Sequence, residues 1–277
     1  MIIIDYNGIA LSNVIAQKLG TNEDLIRHMI LNSIRMYNAK FKEKYGQIVI
    51  ACDSRSWRKE VFPEYKFKRK ESRESSDMDW NEIFRIINQI REDLRDNFPY
   101  KVLHIDRCEA DDIIGSLVFY TQEFGSHEPV MIVSADKDFI QLHRFENVRQ
   151  FSPMNKKFVE NEDPNRYLVE HILRGDSGDG IPNVLSPDNT FVDGLRQAPM
   201  TKKRIEMYYD TFSMGDEVYR NYCRNKKLID LRSTPENLKE LIISTYRNIN
   251  VSHSSKVLNY LIKNRCKMLI ECVGEFL

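Results

Sequence analysis

Four short apolar runs, separated by long helical patterns, constrain the fold of this chain more than any other sequence feature. The runs are Ile2–Ile4, Ile48–Ala51, Val102–Ile105 and Val130–Val133. Between them, apolar residues recur with a helical period over 24–45, 79–94 and 109–125. Strands that alternate with helices build a mostly parallel sheet that helices cover on both faces. We therefore predict an α/β core over residues 1–152.

Helical patterns dominate the second half of the chain, and strand signals fade after residue 152. Helices are predicted to begin at Asp163-Pro164, near Thr201, at Thr234-Pro235-Glu236 and near Ser255. We predict a C-terminal helical domain over residues 153–277.

Acidic residues follow every predicted strand. They are Asp5 after the first strand, Asp53 after the second, Glu109, Asp111 and Asp112 after the third, and Asp136 and Asp138 after the fourth. In a parallel α/β sheet the ligand site lies beyond the carboxyl ends of the strands, so these side chains should share one edge. Asp176 and Asp179, in the turn GDSGDG, are placed to approach that edge from the helical half.

Each acid could simply cap the helix that follows its strand, because carboxylates are favoured there. Capping does not explain the second acid in EADD or in DKD. Clustered carboxylates repel one another unless protons or a cation neutralise them. Oxygen ligands without His or Cys select Mg²⁺ or Mn²⁺, and two such ions are typical of phosphate chemistry. The cluster therefore predicts a two-metal site.

A basic segment, residues 54–77, separates the second strand from the next helix. Its first twenty residues hold eight Lys or Arg against three Glu, with aromatic residues between them. Such runs are often only solvated charge, but aromatic rings can stack on bases while cations track phosphates. We predict a flexible strap that leads a single strand to the metals. Its candidate nucleic-acid contacts are Arg58, Lys59, Tyr65, Lys68 and Lys70, and three more cations, Lys202, Lys203 and Arg204, follow the GDSGDG turn.

The charge balance, 41 basic against 41 acidic residues, does not exclude a nucleic-acid partner, because the distribution of charge matters more than its sum. Five cysteines without a CxxC pair are typical of reduced thiols in a cytosolic protein. No apolar run approaches the length of a membrane span. We predict a cytoplasmic protein with no membrane partner.

Taken together, these motifs resemble the 5′ nucleases of the flap-endonuclease superfamily, and most of all the ribonucleases H of T-even-like tailed phages. The matching segments, which span nearly the whole chain, are IDYNGIAL, CDS with WRKEVFPEYKFKR, EADD, SADKDFIQL, FSPMNKKFV, RGDSGDGIPNV and LIDLRSTPENL. The resemblance implies a PIN-like nuclease core and a metal-dependent 5′→3′ exonuclease and flap endonuclease with ribonuclease H activity. Such enzymes remove RNA primers from lagging-strand fragments during DNA replication.

The resemblance also implies roles for individual residues. Lys66 and Arg69, in the arch that the basic segment would form, would hold the scissile phosphate. The first metal ion would take Asp5, Asp53, Glu109, Asp111 and Asp136, and the second would take Asp138, Asp176 and Asp179, with Asp111 as a candidate shared ligand. Asp112 would support these ligands without touching an ion. Residues 165–212 would form a helix hairpin that grips duplex DNA.

The implied cofactors are two Mg²⁺ ions, for which Mn²⁺ can substitute. The implied partners are DNA and RNA–DNA duplexes with 5′ ends or flaps, and a phage single-strand-binding protein, with the enzyme acting as a monomer in the host cytoplasm. One segment departs from the family pattern. Many relatives follow the GIP turn with a second glycine turn, whereas LSPDNTFVDGLRQAPM stands here before Thr201. The presence of a potassium site and the register of the DNA-gripping helix are therefore left open.

Three other functions fit part of the sequence. A PIN-type endoribonuclease has a similar acidic edge, but that fold is too small to include the helical half. A non-catalytic junction-binding protein would keep the fold, although clustered acids are costly without a metal. A haloacid-dehalogenase-like phosphatase needs a second Asp where Asn7 stands.

Overall fold

A computed structural model describes residues 1–277, except for the side chain of Lys70. The strands in this description are β1 (Ile2–Asp5), β2 (Ile48–Cys52), β3 (Lys101–His104), β4 (Val130–Val133), β5 (Val148–Ser152) and β6 (Lys157–Val159). The α-helices are α1 (Tyr6–Ala16), α2 (Glu23–Tyr45), α3 (Arg58–Val61), α4 (Phe67–Glu74), α5 (Trp80–Asn97), α6 (Ala110–Phe119), α7 (Pro164–Arg174), α8 (Lys202–Thr211), α9 (Asp216–Ile229), α10 (Glu236–Asn248), α11 (Ser255–Lys263) and α12 (Lys267–Ile270). A π-helical turn, Tyr120–Phe124, extends α6, and 3₁₀ turns span Lys137–Arg144, Leu231–Ser233 and Val273–Phe276.

The strands form one sheet in the order β3-β2-β1-β4-β5-β6. Strands β1 to β5 are parallel, and β6 runs antiparallel to β5 at the edge. This confirms the predicted α/β class, with its mostly parallel sheet and flanking helices. The sequence did not predict β5 or β6, because VRQFS is half polar and β6 has three residues. The sheet therefore continues past residue 152.

Side-chain caps begin several helices where the sequence predicts them. The carboxylate of Asp79 accepts a hydrogen bond from the amide of Glu82 at 3.0 Å, and that of Asp163 accepts one from Arg166 at 2.9 Å. These contacts satisfy amides that have no partner within the first helical turn. At the C-terminal end of α2, Gly46 adopts a φ of 79°, which stops the helix after Tyr45.

Helices cover both faces of the sheet, and part of the second half of the chain returns to them. On one face, α1, α2 and α5 share a core with Val257 and Leu261 of α11. On the other, α6 shares a core with Leu238 and Ile242 of α10. A third core joins α7, α8 and α9 with Phe62. The sequence predicted one helical domain over 153–277, whereas residues from 231 onward pack against the sheet.

The basic segment is folded rather than extended as the predicted flexible strap. It contains α3 and α4, and the rings of Phe62 and Tyr65 pack against Ile172 and Leu173 of α7. This packing fixes the segment between the sheet edge and the helical region. Among the described residues, no helix is both long and apolar enough to cross a membrane.

Candidate active site

Three neighbouring strands deliver carboxylates to one edge of the sheet. Asp5 ends β1, Asp53 directly follows β2, and Asp136 lies just beyond β4. Because the order is β2-β1-β4, these acids stand side by side at the carboxyl ends of adjacent strands. The strand order reverses between the neighbouring strands β1 and β4. Parallel α/β sheets bind ligands at the point where the strand order reverses.

Burial and repulsion between neighbouring carboxylates raise the pKa values of three acids at this edge. Burial raises the pKa of Asp5 to about 6, with added repulsion from Asp53 and Asp136. Burial likewise raises the pKa of Asp138 to about 7, and repulsion from Asp136 adds to this effect. Burial, followed by the charge of Asp136, raises the pKa of Asp111 well above its ordinary value. The folded chain thus holds negative charges close together at a cost that a bound cation would remove.

The turn from α7 brings two further acids to the same place. The carboxylate of Asp176 accepts hydrogen bonds from the amides of Gly178 at 2.8 Å and Asp179 at 3.2 Å. Asp176 and Asp179 both contribute to the raised pKa of Asp138, so they lie within its electrostatic reach. The structure therefore places side chains from both halves of the chain at one site.

His171 belongs to this group, and sequence reasoning missed it. Its Nδ1 lies 3.4 Å from Asp138 Oδ1, and its Nε2 lies 3.6 Å from Asp176 Oδ2. One ligand atom from each of the three residues lies within 4.8 Å of the others, which is close enough to hold a single ion. Burial acts to lower the pKa of His171, but the bond to Asp176 and the charge of Asp138 outweigh it, so the pKa is raised. Its signal in the sequence was its place on the last turn of the helix that leads into GDSGDG.

Ser134, also missed by the sequence analysis, organises the end of β4. Its hydroxyl donates to Asp5 Oδ2 at 2.8 Å and accepts from the amide of Asp136 at 3.1 Å. One buried hydroxyl thus fixes two of the three strand-end acids relative to each other. A Ser at the end of a strand carries little sequence signal, since serine is common in turns.

Two cations of the basic segment meet the acids directly. The ammonium of Lys66 is ion-paired with Glu109 and lies 3.6 Å from Asp179, and the guanidinium of Arg69 is ion-paired with Asp179. The backbone is fixed as well, because the amide of Lys66 donates to the carbonyl of Asp179 at 2.7 Å. The two residues predicted to hold a scissile phosphate therefore lie at the acid cluster.

Glu109 is surrounded by donors. Its Oε2 accepts from Ser56 at 2.7 Å, from Tyr65 at 3.0 Å and from Arg58 at 3.1 Å, and Lys66 donates to its Oε1. Burial alone would raise its pKa, but the charges of Lys66 and Arg58 outweigh burial and bring the pKa to about 2. Glu109 is therefore ionised across the physiological range, and Lys66 must release Oε1 before that oxygen can bind an ion.

Arg58 and Tyr65 do not face solvent, in contrast to their predicted contact with nucleic acid. Each side chain is about 2% exposed. Arg58 bridges Glu109 and Asp112 at 3.1 and 3.0 Å, and Tyr65 donates to the acids rather than presenting its ring. Trp57, Phe62 and Tyr65 are buried and cannot serve as the predicted stacking surface, whereas Phe67 is exposed.

Asp112 is fully buried behind the site. It accepts from the amide of Glu109 at 2.9 Å, from Arg58 at 3.0 Å, from the indole of Trp57 at 3.1 Å and from the hydroxyl of Thr234 at 2.8 Å. These contacts tie the start of α6 to the basic segment and to the loop before α10. Asp112 thus holds the ligand-bearing elements together and does not reach the acid cluster itself.

The other predicted nucleic-acid contacts lie on the surface where they are described. Lys59 is exposed, Lys68 is exposed over the ring of Phe191 at 4.7 Å, and the side chain of Lys70 lies outside the described residues. Lys202, Lys203 and Arg204 are exposed at the start of α8. Arg204 also donates to the carbonyl of Pro199 at 2.8 Å.

The donor set fits divalent metal ions. It is dominated by carboxylate oxygens, which are the ligands of hard cations, with one imidazole at its edge. The raised pKa values of Asp5 and Asp138 supply the electrostatic reason to bind a cation. Such a metal site, with the side chains of Lys66 and Arg69 beside it, is suited to hydrolysis of phosphate esters.

Comparison with known proteins agrees with this chemistry. Residues 1–170 match the family of 5′–3′ exonuclease N-terminal, resolvase-like domains, and residues 163–276 match the family described as the C-terminal part of T4 ribonuclease H. The chain is 31% identical to ribonuclease H of Enterobacteria phage T4 over 99% of this chain and 95% of that one. It is 26% identical to a 5′–3′ exonuclease of Buchnera aphidicola over 82% of this chain and 77% of that one.

Two solved structures share the fold. A zinc-bound 5′-exonuclease of T5 aligns with a TM-score of 0.64 at 15% identity, over 90% of this chain and 98% of that one. A bacteriophage T5 flap endonuclease in a pseudo-enzyme-product complex with DNA and metal ions aligns with a TM-score of 0.63 at 16% identity, over the same shares. Both neighbours bind metal ions at their own sites.

Proposed function

We propose that this chain, which belongs to the 5′–3′ exonuclease family and is a 5′ nuclease, uses divalent metal ions to remove lagging-strand RNA primers and adjacent DNA. Its substrates would be RNA–DNA and DNA duplexes with 5′ ends or flaps, and its cofactors two Mg²⁺ ions, with Mn²⁺ as a substitute. Its ribonuclease H relative in phage T4, similar over 99% of this chain, supports the RNA–DNA substrate.

One observation carries the proposal: the cations of the basic segment reach the carboxylate cluster. Lys66 and Arg69 contact Glu109 and Asp179, so a phosphate held by these cations would lie against the metal-binding acids. A protein that only bound junctions would not need this juxtaposition. A PIN-type ribonuclease would not need the helical region that carries Asp179.

The metal ligands are proposed to divide into two sets. The first set is Asp5, Asp53, Glu109, Asp111 and Asp136, and the second is Asp138, Asp176 and Asp179, with Asp111 as a shared ligand. His171 joins the second set through its contacts with Asp138 and Asp176. When bound, divalent ions supply a water of lowered pKa and stabilise the charge of the leaving oxygen.

The protein's own side chains orient the phosphate. Lys66 and Arg69 would transfer from Glu109 and Asp179 to the scissile phosphate as it enters, because its anionic oxygens accept charge-assisted hydrogen bonds from both cations. Their release leaves Glu109 and Asp179 available for the metals. No side chain acts as a covalent nucleophile, and Asp112 keeps α6 and the basic segment in register throughout.

Duplex DNA behind the cut is proposed to lie on the region 165–212, where Lys202, Lys203 and Arg204 are exposed. Because segment 185–200 replaces the second glycine turn of many relatives, this proposal does not include a potassium site. We further propose that the enzyme acts as a monomer and is recruited by a single-strand-binding protein.

Substitution of a metal-binding acid tests the proposal most directly. We expect Asp136→Asn and Asp138→Asn to lower cleavage of a 5′-labelled RNA–DNA hybrid and of a 5′-flap duplex by at least about 100-fold, since each removes a charged ligand. DNA binding should change less than about threefold. Cleavage should require Mg²⁺ and stop with EDTA.

The matched control is Asp106→Asn, an exposed acid after β3 that is not part of the cluster, which should cut like the wild type. Substantial cleavage by Asp136→Asn or Asp138→Asn would refute the metal assignment. Tight binding of both substrates without cleavage under any divalent ion would favour the junction-binding alternative.

A further inference from the structure

A cavity of about 740 Å³ opens between the basic segment and the start of α5. Its lining includes the acids Asp53 and Glu109 and the rings of Trp80 and Phe84. Building on the nuclease function above, we propose that this cavity binds one unpaired nucleotide on the 5′ side of the cleaved bond, with its base against Trp80 and Phe84. Pockets of roughly 300–1,000 Å³ are typical for small ligands, so the size suits a nucleotide.

The aromatic wall is built by helix geometry. Trp80 and Phe84 are four residues apart on α5, so their rings project from one face, with centroids 6.0 Å apart and planes at 34°. Both side chains are only partly buried and line the cavity. Most aromatic rings of the basic segment are buried. The partly exposed stacking surface is instead provided by Trp80 and Phe84 of the neighbouring helix α5. Single-stranded nucleic acids are commonly held by bases stacked on such rings.

Arg73 now lies over this wall. Its guanidinium carbon is 4.9 Å from the centroid of Phe84 and 5.7 Å from that of Trp80. A guanidinium is planar and stacks on aromatic faces much as a base does. Arg73 thus marks the position that a base would take, and it lies on an exposed part of α4 from which it can move.

The wall also contains an unsatisfied donor. The indole nitrogen of Trp80 is buried and has no hydrogen-bond partner in the described part of the chain. Buried donors are normally paired, and an unpaired one costs free energy. A base stacked on the ring face cannot reach this in-plane N–H, so in the proposed complex its acceptor would be an oxygen of the nucleotide's sugar or phosphate.

Charge and position complete the site. Arg55 and Lys59 are exposed at the cavity rim, suited to the phosphate of the bound nucleotide. Lys66 and Arg69 line the same cavity and contact the acid cluster, so the next phosphate along the strand would reach the metals. The cavity therefore accepts the nucleotide that precedes the cut, and it requires an unpaired base.

Intrinsic fluorescence can test this proposal, because the chain has two tryptophans and one of them, Trp57, is buried in the core. The probe is a 5′-flap duplex bound with Ca²⁺ in place of Mg²⁺. We expect the flap duplex to quench the emission of the wild type, and the quenching to vanish in Trp80→Phe. A blunt duplex of the same sequence, or a flap that lacks the base at its first unpaired position, should quench much less.

Cleavage kinetics supply the second arm. Phe84→Leu should raise the KM for the flap duplex on the order of tenfold, as expected for loss of one base–aromatic stack, and leave kcat within about twofold. The same substitution should have little further effect on the flap that lacks that base. Phe124→Leu, at an exposed aromatic outside the cavity, is the matched control and should leave KM unchanged.

The outcomes separate this proposal from the nuclease function. If the wild type binds and cuts flaps but shows equal quenching with flap and blunt duplexes, the nucleotide site is wrong while the function stands. If Trp80→Phe and Phe84→Leu behave as the wild type, the site is also wrong. If the wild type neither binds nor cuts a flap duplex, the nuclease proposal and the site both fall.

Discussion

Arg58 and Lys66 lie in one basic segment, yet they bind different oxygens of the same carboxylate, Glu109. Arg58 is about 2% exposed, whereas Lys66 lies at the cluster where a phosphate could displace it from its acid. Burial therefore decides their roles. Arg58 is a structural cation that keeps Glu109 ionised and ion-pairs with Asp112, and Lys66 is the cation that can change partners.

We predict that Arg58→Met destabilises the fold by about 3–5 kcal/mol, because it leaves Glu109 and Asp112 buried without their shared cation. Urea denaturation followed by circular dichroism measures this change in the free energy of unfolding. Arg55→Met, at an exposed position in the same segment, should cost less than about 0.5 kcal/mol. Equal costs for the two variants would contradict the assigned role of Arg58.

The strand-end acids could be predicted from the sequence because their place is set by chain order alone. The positions of Asp5 and Asp136 could be predicted from the strand that precedes each of them. His171 could not be predicted, since its contacts with Asp138 and Asp176 depend on how α7 lies against the sheet. The burial of Arg58 was also beyond the sequence, because a run of charges does not show which member faces inward.

The turn after α7 is the element that joins the two halves of the site. Gly175 adopts a φ of 66°, and a β-carbon there would lie 2.4 Å from the carbonyl oxygen of Ile181. The backbone atoms of Asp176 and Ile181 pair across the turn at 2.7 and 2.8 Å. The turn that carries Asp176 and Asp179 therefore depends on a residue without a side chain.

We predict that Gly175→Ala costs more than about 2 kcal/mol in unfolding free energy and lowers cleavage at least tenfold, because backbone must move to admit the methyl group. Thermal denaturation and the flap assay measure the two effects. Gly194→Ala is the control, since its φ of 65° is similar but no atom of the described residues lies within 4 Å of the added carbon. It should cost about 1 kcal/mol and leave cleavage intact. Similar losses in both variants would mean that φ strain, not the close contact, is responsible.

Among the helices and strands, the sequence predicted best those with a strong local signal. The four short apolar runs became β1 to β4, and Asp79 and Asp163 capped α5 and α7. The basic segment was predicted without regular structure because α3 and α4 lack an apolar stripe of their own. They are held by Phe62 and Tyr65 against α7, which is a tertiary contact.

For the whole molecule, clustered acids make stability depend on pH and on metal. Asp5 and Asp138 keep their protons to about pH 6 and 7 when folded but release them near pH 4 when unfolded. The folded chain therefore binds more protons in this window, and its stability falls as pH rises through it. The raised pKa of His171 acts in the same direction, since its stabilising charge is lost as pH rises. Glu109, whose pKa is about 2, contributes stability that is lost only as pH falls below about 4, so its contribution is constant in this window.

We predict that the melting temperature in EDTA falls by roughly 5–10 °C between about pH 5 and about pH 8, which corresponds to a loss on the order of 2–4 kcal/mol. Excess Mg²⁺ should abolish most of this fall, because a bound cation favours the ionised acids. Asp138→Asn should flatten the profile measured in EDTA. A melting temperature that rises with pH in EDTA would show that the acids are not held close together.

The packing of residues from 231 onward against both faces of the sheet has a consequence for biosynthesis. A nascent chain that has emerged only through α9 already carries every proposed metal ligand, but it lacks Ile242 and Leu261, which close the two cores. At a rate of about 5–20 residues per second, the remainder needs roughly 2–10 s to leave the ribosome. Both cores are incomplete during that interval, so we expect a chain truncated after α9 to hold its acids poorly in register and to cut DNA weakly.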